Sequence, residues 1–118
     1  MVERHFRAIE IAPPNEQDTI LILARLKREL EQYHGVVYDA SAIETAVRAS
    51  VQFMPRLPLP GKATDLLDEV GARIKLRLEK QKHEGVLQTT VIGADIEELV
   101  SEMTSLSIEA IRQRLAKK

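Results

Sequence analysis

The chain has no cysteine, which excludes disulfides, thiolate metal sites and cysteine nucleophiles and agrees with a reducing compartment. Aromatics are equally scarce. They make up 3% of 118 residues, as Phe6, Tyr33, Tyr38 and Phe53, so the core must come from Leu, Ile, Val and Ala. Aliphatic cores of that kind suit helix packing better than sheet sandwiches, which lean on aromatic and β-branched side chains. No apolar run approaches the ~20 residues that cross a bilayer. Met1 to Phe6 carries no apolar h-region, so no secretory signal is expected and a cytoplasmic setting is. Charge of one sign is lacking too: the formal net charge is −1, which gives no reason to expect nucleic acid or an anionic membrane as partner. What is present is a globular balance, 44% apolar against 30% charged, over the length of one ordinary domain.

Periodicity divides the chain into helices with two short extended pieces. Residues 6–14 alternate loosely and end at Pro13-Pro14, an extended arm because paired prolines forbid helix. Asn15 is a capping residue before Glu16, Gln17 and Asp18, and Ile20, Leu23, Leu26, Leu30 and Tyr33 recur at helical steps, predicting a helix over 15–34 that Gly35 stops. Ser41 with Glu44 has the spacing of a capping box for a helix over 41–54, with Ile43, Ala46, Val47, Ser50, Val51 and Met54 on one face up to Pro55. Ala63, Leu66, Leu67, Val70, Ile74 and Leu78 mark a third helix over 61–81, in which Gly71 points to close packing or simple tolerance. Ile96, Leu99, Val100 and Met103 mark another over 94–104, and Ile108, Ile111 and Leu115 a C-terminal linker helix over 107–116. Lys80 to Gln88 is the one candidate linker. Val36 to Tyr38 and Thr89 to Ile92 read as strand fragments that pair with each other across the bundle, since isolated strands are marginal. The expected fold is therefore mainly all-α, a single domain of four to five helices over residues 1–118 with a minor two-strand pair.

Little autonomous chemistry is legible. Gly61-Lys62-Ala63-Thr64 has the look of a P-loop end, but Arg56 and Ala63 stand where the motif needs glycine and a hydroxyl, and three prolines stand where it needs a strand. His5, His34 and His83 are scattered, without partners at ligand spacing, so no metal is expected; His34 sits where a histidine can bond the last carbonyls of its helix. Asp65 and Asp68 share a face with Glu69, the usual pattern of a solvated helix surface, and Glu69 stands four residues before Arg73. Arg73, Lys75, Arg77, Lys80 and Lys82 make a basic stretch. A helix C-terminus favours cations in any case, and no aromatic side chains interleave to stack on bases. No set of nucleophile, base and orienting group emerges, so no catalytic residue and no enzyme activity is expected of the chain alone.

Several segments are nevertheless familiar when taken together: Arg4-His5-Phe6-Arg7-Ala8-Ile9 leading to Pro13-Pro14; Asp18-Thr19-Ile20-Leu21-Ile22-Leu23 with Leu26-Lys27; Tyr33-His34-Gly35-Val36; Leu59-Pro60-Gly61-Lys62-Ala63-Thr64-Asp65-Leu66-Leu67-Asp68-Glu69; and Val91-Ile92-Gly93-Ala94-Asp95-Ile96 with Val100-Ser101 and Thr104. The sequence resembles the small C-terminal helical lid subdomain of the first AAA+ module in Clp-family unfoldases and disaggregases. The resemblance implies a lid that packs over ATP or ADP held by a separate large subdomain carrying the Walker motifs, in a hexameric ring with neighbouring subunits. It implies aliphatic contacts to adenine from Ile22 and Leu26, and a phosphate-side turn with Pro60 and with Lys62, where other AAA+ modules keep a phosphate-sensing arginine. Without the large subdomain no cofactor is expected, and the chain by itself is expected to be a monomer or weak oligomer. Gly61 stands where the family has aspartate, and Pro55-Arg56-Leu57-Pro58 where it carries Asp-Arg. The short 80–88 connection leaves no room for the coiled-coil middle domain of disaggregases, which favours a protease-partner or specialised type. Whether the chain is a piece of a longer protein stays open, as does the alternative of a stand-alone interaction module that kept the lid fold and lost nucleotide contact.

Overall fold

In a computed structural model, residues 14–81 and 89–116 are described. The expected 6–14 arm and 80–88 linker fall mostly outside them, as do His5 and His83. The element order is α1 (Glu16–His34), β1 (Val37–Tyr38), α2 (Ala40–Phe53), α3 (Gly61–Gln81), β2 (Thr90–Val91), α4 (Gly93–Thr104) and α5 (Ile108–Ala116). The mainly all-α expectation holds.

Local chemistry explains the boundaries. The Asn15 side chain accepts a hydrogen bond from the Asp18 amide at 2.8 Å, and Gly35 ends α1 in the left-handed region at φ 70°, its amide bonded to the Glu31 carbonyl. The cap of α2 differs from the expected Ser41–Glu44 box. Asp39 is the cap, accepting from the Ser41 amide at 3.0 Å, and the helix starts at Ala40. Hydrogen bonding by Ser41, its side chain foremost, holds the Asp39 carboxyl below its usual range. The Ser41 hydroxyl is occupied by a distant task, accepting from the Gly93 amide at 3.0 Å and so tying α2 to the start of α4. The α4 entry is closed by Asp95, which accepts from the Ile92 amide at 2.9 Å.

The two strand fragments do pair, in parallel, with Val37 opposite Thr90 and Tyr38 opposite Val91. Tyr38 and Val91 point inward and are buried; Val37 and Ile92 are exposed. The core is aliphatic apart from Tyr38. Ala42, Ile43, Ala46, Val47 and Ala49 of α2 face Ala63, Leu66, Leu67, Val70 and Ile74 of α3, with Ile96, Leu99 and Val100 of α4 and Ile111 and Leu115 of α5 closing it. Three positions counted in the sequence stripes lie at the margins of those faces and are exposed: Tyr33, Val51 and Met103. A 3.6-residue stripe does not reveal how wide the covering neighbour is.

Candidate functional site

Ile22 and Leu26 lie four residues apart on α1, hence on one side of the helix. Ile22 and Leu26 are both partly buried, and Leu26 packs against the core. This leaves an aliphatic surface anchored at its base and open at its edge. The turn preceding α3 is stitched to the helix it starts. The Pro60 carbonyl accepts from both the amide and the hydroxyl of Thr64, each at 3.0 Å, and the Pro58 carbonyl accepts from the Lys62 amide at 3.3 Å. Pro60, after a cis Leu59–Pro60 bond, is half-buried.

Lys62 lines a hollow of about 240 Å³ with Asp65, Leu66, Glu69 and Arg73 of α3 and Leu99 and Met103 of α4. No α1 residue contributes to that hollow. The structure therefore sets the expected adenine pair on one element and the expected phosphate-side lysine on another, facing α4. A second hollow, about 280 Å³, lies at the proline turn between Pro14, Ser50, Val51, Pro55, Leu57, Pro58 and Leu59. Its rim includes the exposed Leu57 and Val51.

Two cations of the basic stretch of α3, Arg73 and Arg77, are engaged within the fold. Arg73 meets Glu102 of α4 at 2.7 Å and Glu69, one turn back, at 3.5 Å, and Arg77 lies 3.8 Å from Glu98. These pairs join α3 to α4 on the surface. Among the described residues, no three His, Cys, Asp or Glu side chains are grouped to hold a metal. No helix among them is long and apolar enough to cross a membrane.

The sequence did not reveal a polar corner where α1, β1 and α3 meet. His34 was expected to bond the last carbonyls of α1; instead it is buried, and its Nε2 lies 2.6 Å from Asp68 Oδ1 on α3. The neighbouring Tyr38 hydroxyl donates to the Leu67 carbonyl at 2.6 Å. Burial pushes the Tyr38 phenol up, with the charges of Asp68 and Glu31 adding, so it stays a proton donor at neutral pH. The backbone of Tyr38 is held from α1 as well: its amide donates to Glu31 at 2.8 Å, and its carbonyl accepts from Lys27 at 3.2 Å. Gly71 makes room for all of this. A Cβ there would lie 2.2 Å from the Tyr38 hydroxyl oxygen and 2.6 Å from His34 Cδ2. A glycine inside a helical pattern was the one available signal, and it marks close packing.

Comparison with known proteins agrees with this architecture. The protein family described as the AAA lid domain matches residues 15–118. The ATP-dependent Clp protease ATP-binding subunit ClpE of Bacillus subtilis (strain 168) is 35% identical over 80% of the chain, which spans 14% of that protein. The chaperone protein ClpB of Corynebacterium efficiens is 33% identical over 97% of the chain, which spans 13% of it. Among solved structures, a closed-state reconstruction of Hsp104 with ATPγS and FITC casein superposes with TM-score 0.75 at 28% identity, covering 92% of this chain and 17% of that one. An extended-conformation Hsp104:casein complex from S. cerevisiae gives TM-score 0.71 at 30% identity, covering 81% of this chain and 16% of that one. The chain thus spans only a small part of the relatives it matches. It belongs to the AAA lid domain family, as the helical lid subdomain of a Clp-type AAA+ ATPase.

Proposed function

We propose that this lid closes over ATP or ADP held by a separate, Walker-bearing large subdomain, and that it carries the nucleotide state to neighbouring subunits of a hexameric protein-unfolding ring. The observation that carries the reading is the aliphatic pair Ile22 and Leu26, one turn apart on α1 and each only partly covered, at the margin of the face that meets the core. An adenine ring laid on that surface removes apolar area from water on both partners, at roughly 25 cal/mol per Å². Two relatives support the nucleotide: one is named as an ATP-binding subunit and one was solved with ATPγS. Pro60 and Lys62 sit at the start of α3, where backbone amides and the helix dipole favour negative charge. A lysine there brings a cation toward the phosphates.

The chain supplies half a pocket and no hydrolytic groups, so it is inert alone and acts as a moving part. The close-packed core moves as one body, so a change at the nucleotide edge travels to every face of the lid. Isothermal titration of the isolated chain with ATP is expected to show negligible heat. Tight binding with turnover would overturn the reading. In the complete ATPase, Lys62→Ala is expected to lower turnover while leaving the fold intact; unchanged turnover would remove Lys62 from the phosphate side.

A further inference from the structure

We infer that His34 and Tyr38 are positioning residues: with Asp68 they form a joint that fixes the direction of α1 relative to α3. The purpose of such a joint rests on the proposed lid reading, since α1 bears the adenine pair and α3 begins at the phosphate-side turn.

The need for a joint follows from how thinly α1 is anchored. Its buried residues are Thr19, Leu23 and His34, so a single fully buried aliphatic side chain holds the helix to the core. Ile20, Leu26 and Leu30 pack against the core only in part. Aliphatic contact is non-directional and tolerates sliding or tilting; hydrogen bonds prefer near-linear geometry and resist it. At its C-terminal end α1 has directional contacts in quantity. His34 bonds Asp68 and Tyr38 bonds Leu67, neighbours on α3, and Lys27 and Glu31 grip both backbone polar groups of Tyr38. Gly71, on the next turn of α3, is the socket that lets both rings approach. On the outer side of the joint, where Asp68 is more than half exposed, weaker contacts are added. The Tyr33 ring sits edge-on to His34 with centroids 4.9 Å apart, and the Lys75 ammonium lies 5.9 Å from the Tyr33 centroid. Both contacts again cross from α1 toward α3 or stiffen the crossing.

The test measures the angle directly. The chain is cysteine-free, so Arg25→Cys and Glu79→Cys place two spin labels without background on exposed positions of α1 and α3. Each site stands about 13–16 Å along its helix from the joint, so a tilt of about 10° moves a label by about 2–3 Å. Double electron–electron resonance on the full chain is expected to give one narrow distance. His34→Ala and Tyr38→Phe should broaden it or add a second population. His34→Gln, whose amide can still donate to Asp68, should keep it narrow. Leu115→Ala, which truncates a buried side chain on α5 far from the joint in sequence, should keep it narrow as well. Should His34→Ala fail to fold, Tyr38→Phe and His34→Gln carry the comparison. An unchanged distribution in Tyr38→Phe and any folded His34→Ala, a broad one in His34→Gln, or equal broadening in Leu115→Ala overturns the joint. No nucleotide enters this measurement. Its failure leaves the lid reading standing, and failure of the lid reading would show instead in the ATP titration of the isolated chain.

Discussion

The α1–β1 corner and the α2–α3–α4 core are held by different physics. Six residues of α2 are buried, five of them aliphatic (Ala42, Ile43, Ala46, Val47, Ala49) with Ser50, whose hydroxyl returns to the Ala46 carbonyl at 2.7 Å. Two of the three buried residues on α1 are polar. The core is stable because apolar area leaves water, a term indifferent to small rotations. At the corner, side chains with defined directions set where α1 points, and their net contribution to stability is modest. A lid needs both: a core that survives repeated movement and an edge whose geometry is fixed finely enough to meet a ligand.

Substitutions should separate the two regions by magnitude. Leu67→Ala, in the middle of α3 and fully buried, is expected to cost about 2–5 kcal/mol in urea unfolding. Gly71→Ala should cost about 1–3 kcal/mol by forcing Tyr38 and His34 off their positions, since the new methyl overlaps both rings. A neutral outcome there would mean that the corner relaxes freely and the contrast is false. Tyr38→Phe should cost about 1 kcal/mol, because it removes one buried hydrogen bond to the Leu67 carbonyl and leaves the ring in place. Arg73→Ala, at a surface ion pair with both partners substantially exposed, should cost under about 1 kcal/mol, with the difference fading in 1 M salt.

Acid should touch the α2 cap in a known direction. The folded-state carboxyl of Asp39 titrates lower than in the unfolded chain, so its contribution is present above the unfolded value and is lost as pH falls through the folded one. Asp39→Asn, which keeps a capping oxygen, is expected to flatten that loss in acid unfolding curves.

Much of the fold was legible because it depends on local signals. Asn15 and Gly35 bound α1, the prolines at 55, 58 and 60 bound the turn before α3, and two β-branched or apolar fragments too short to stand alone had only each other to pair with. Where tertiary partners decide, the sequence was silent. Ser41 and Asp39 are both good caps, and the choice fell to Asp39 while the Ser41 hydroxyl bonds the Gly93 amide, fifty-two residues on. His34 had a plausible local task at a helix end, and its actual partner Asp68 is thirty-four residues away. The proposed nucleotide edge came only through resemblance: periodicity alone counts Leu26 as core, gives Ile22 no task, and does not tell that Lys62 lines a hollow with Leu99 and Met103 of α4.

The proposed lid requires that the side of α1 bearing Ile22 and Leu26 be an adenine surface. It is tested by the KM for ATP of the complete ATPase carrying Ile22→Asp, at a side chain only partly covered in the lid itself. The expected result is a KM raised about tenfold or more, from losing an apolar contact and placing a charge beside the base, with the lid's unfolding midpoint unchanged. An unaltered KM would contradict the account.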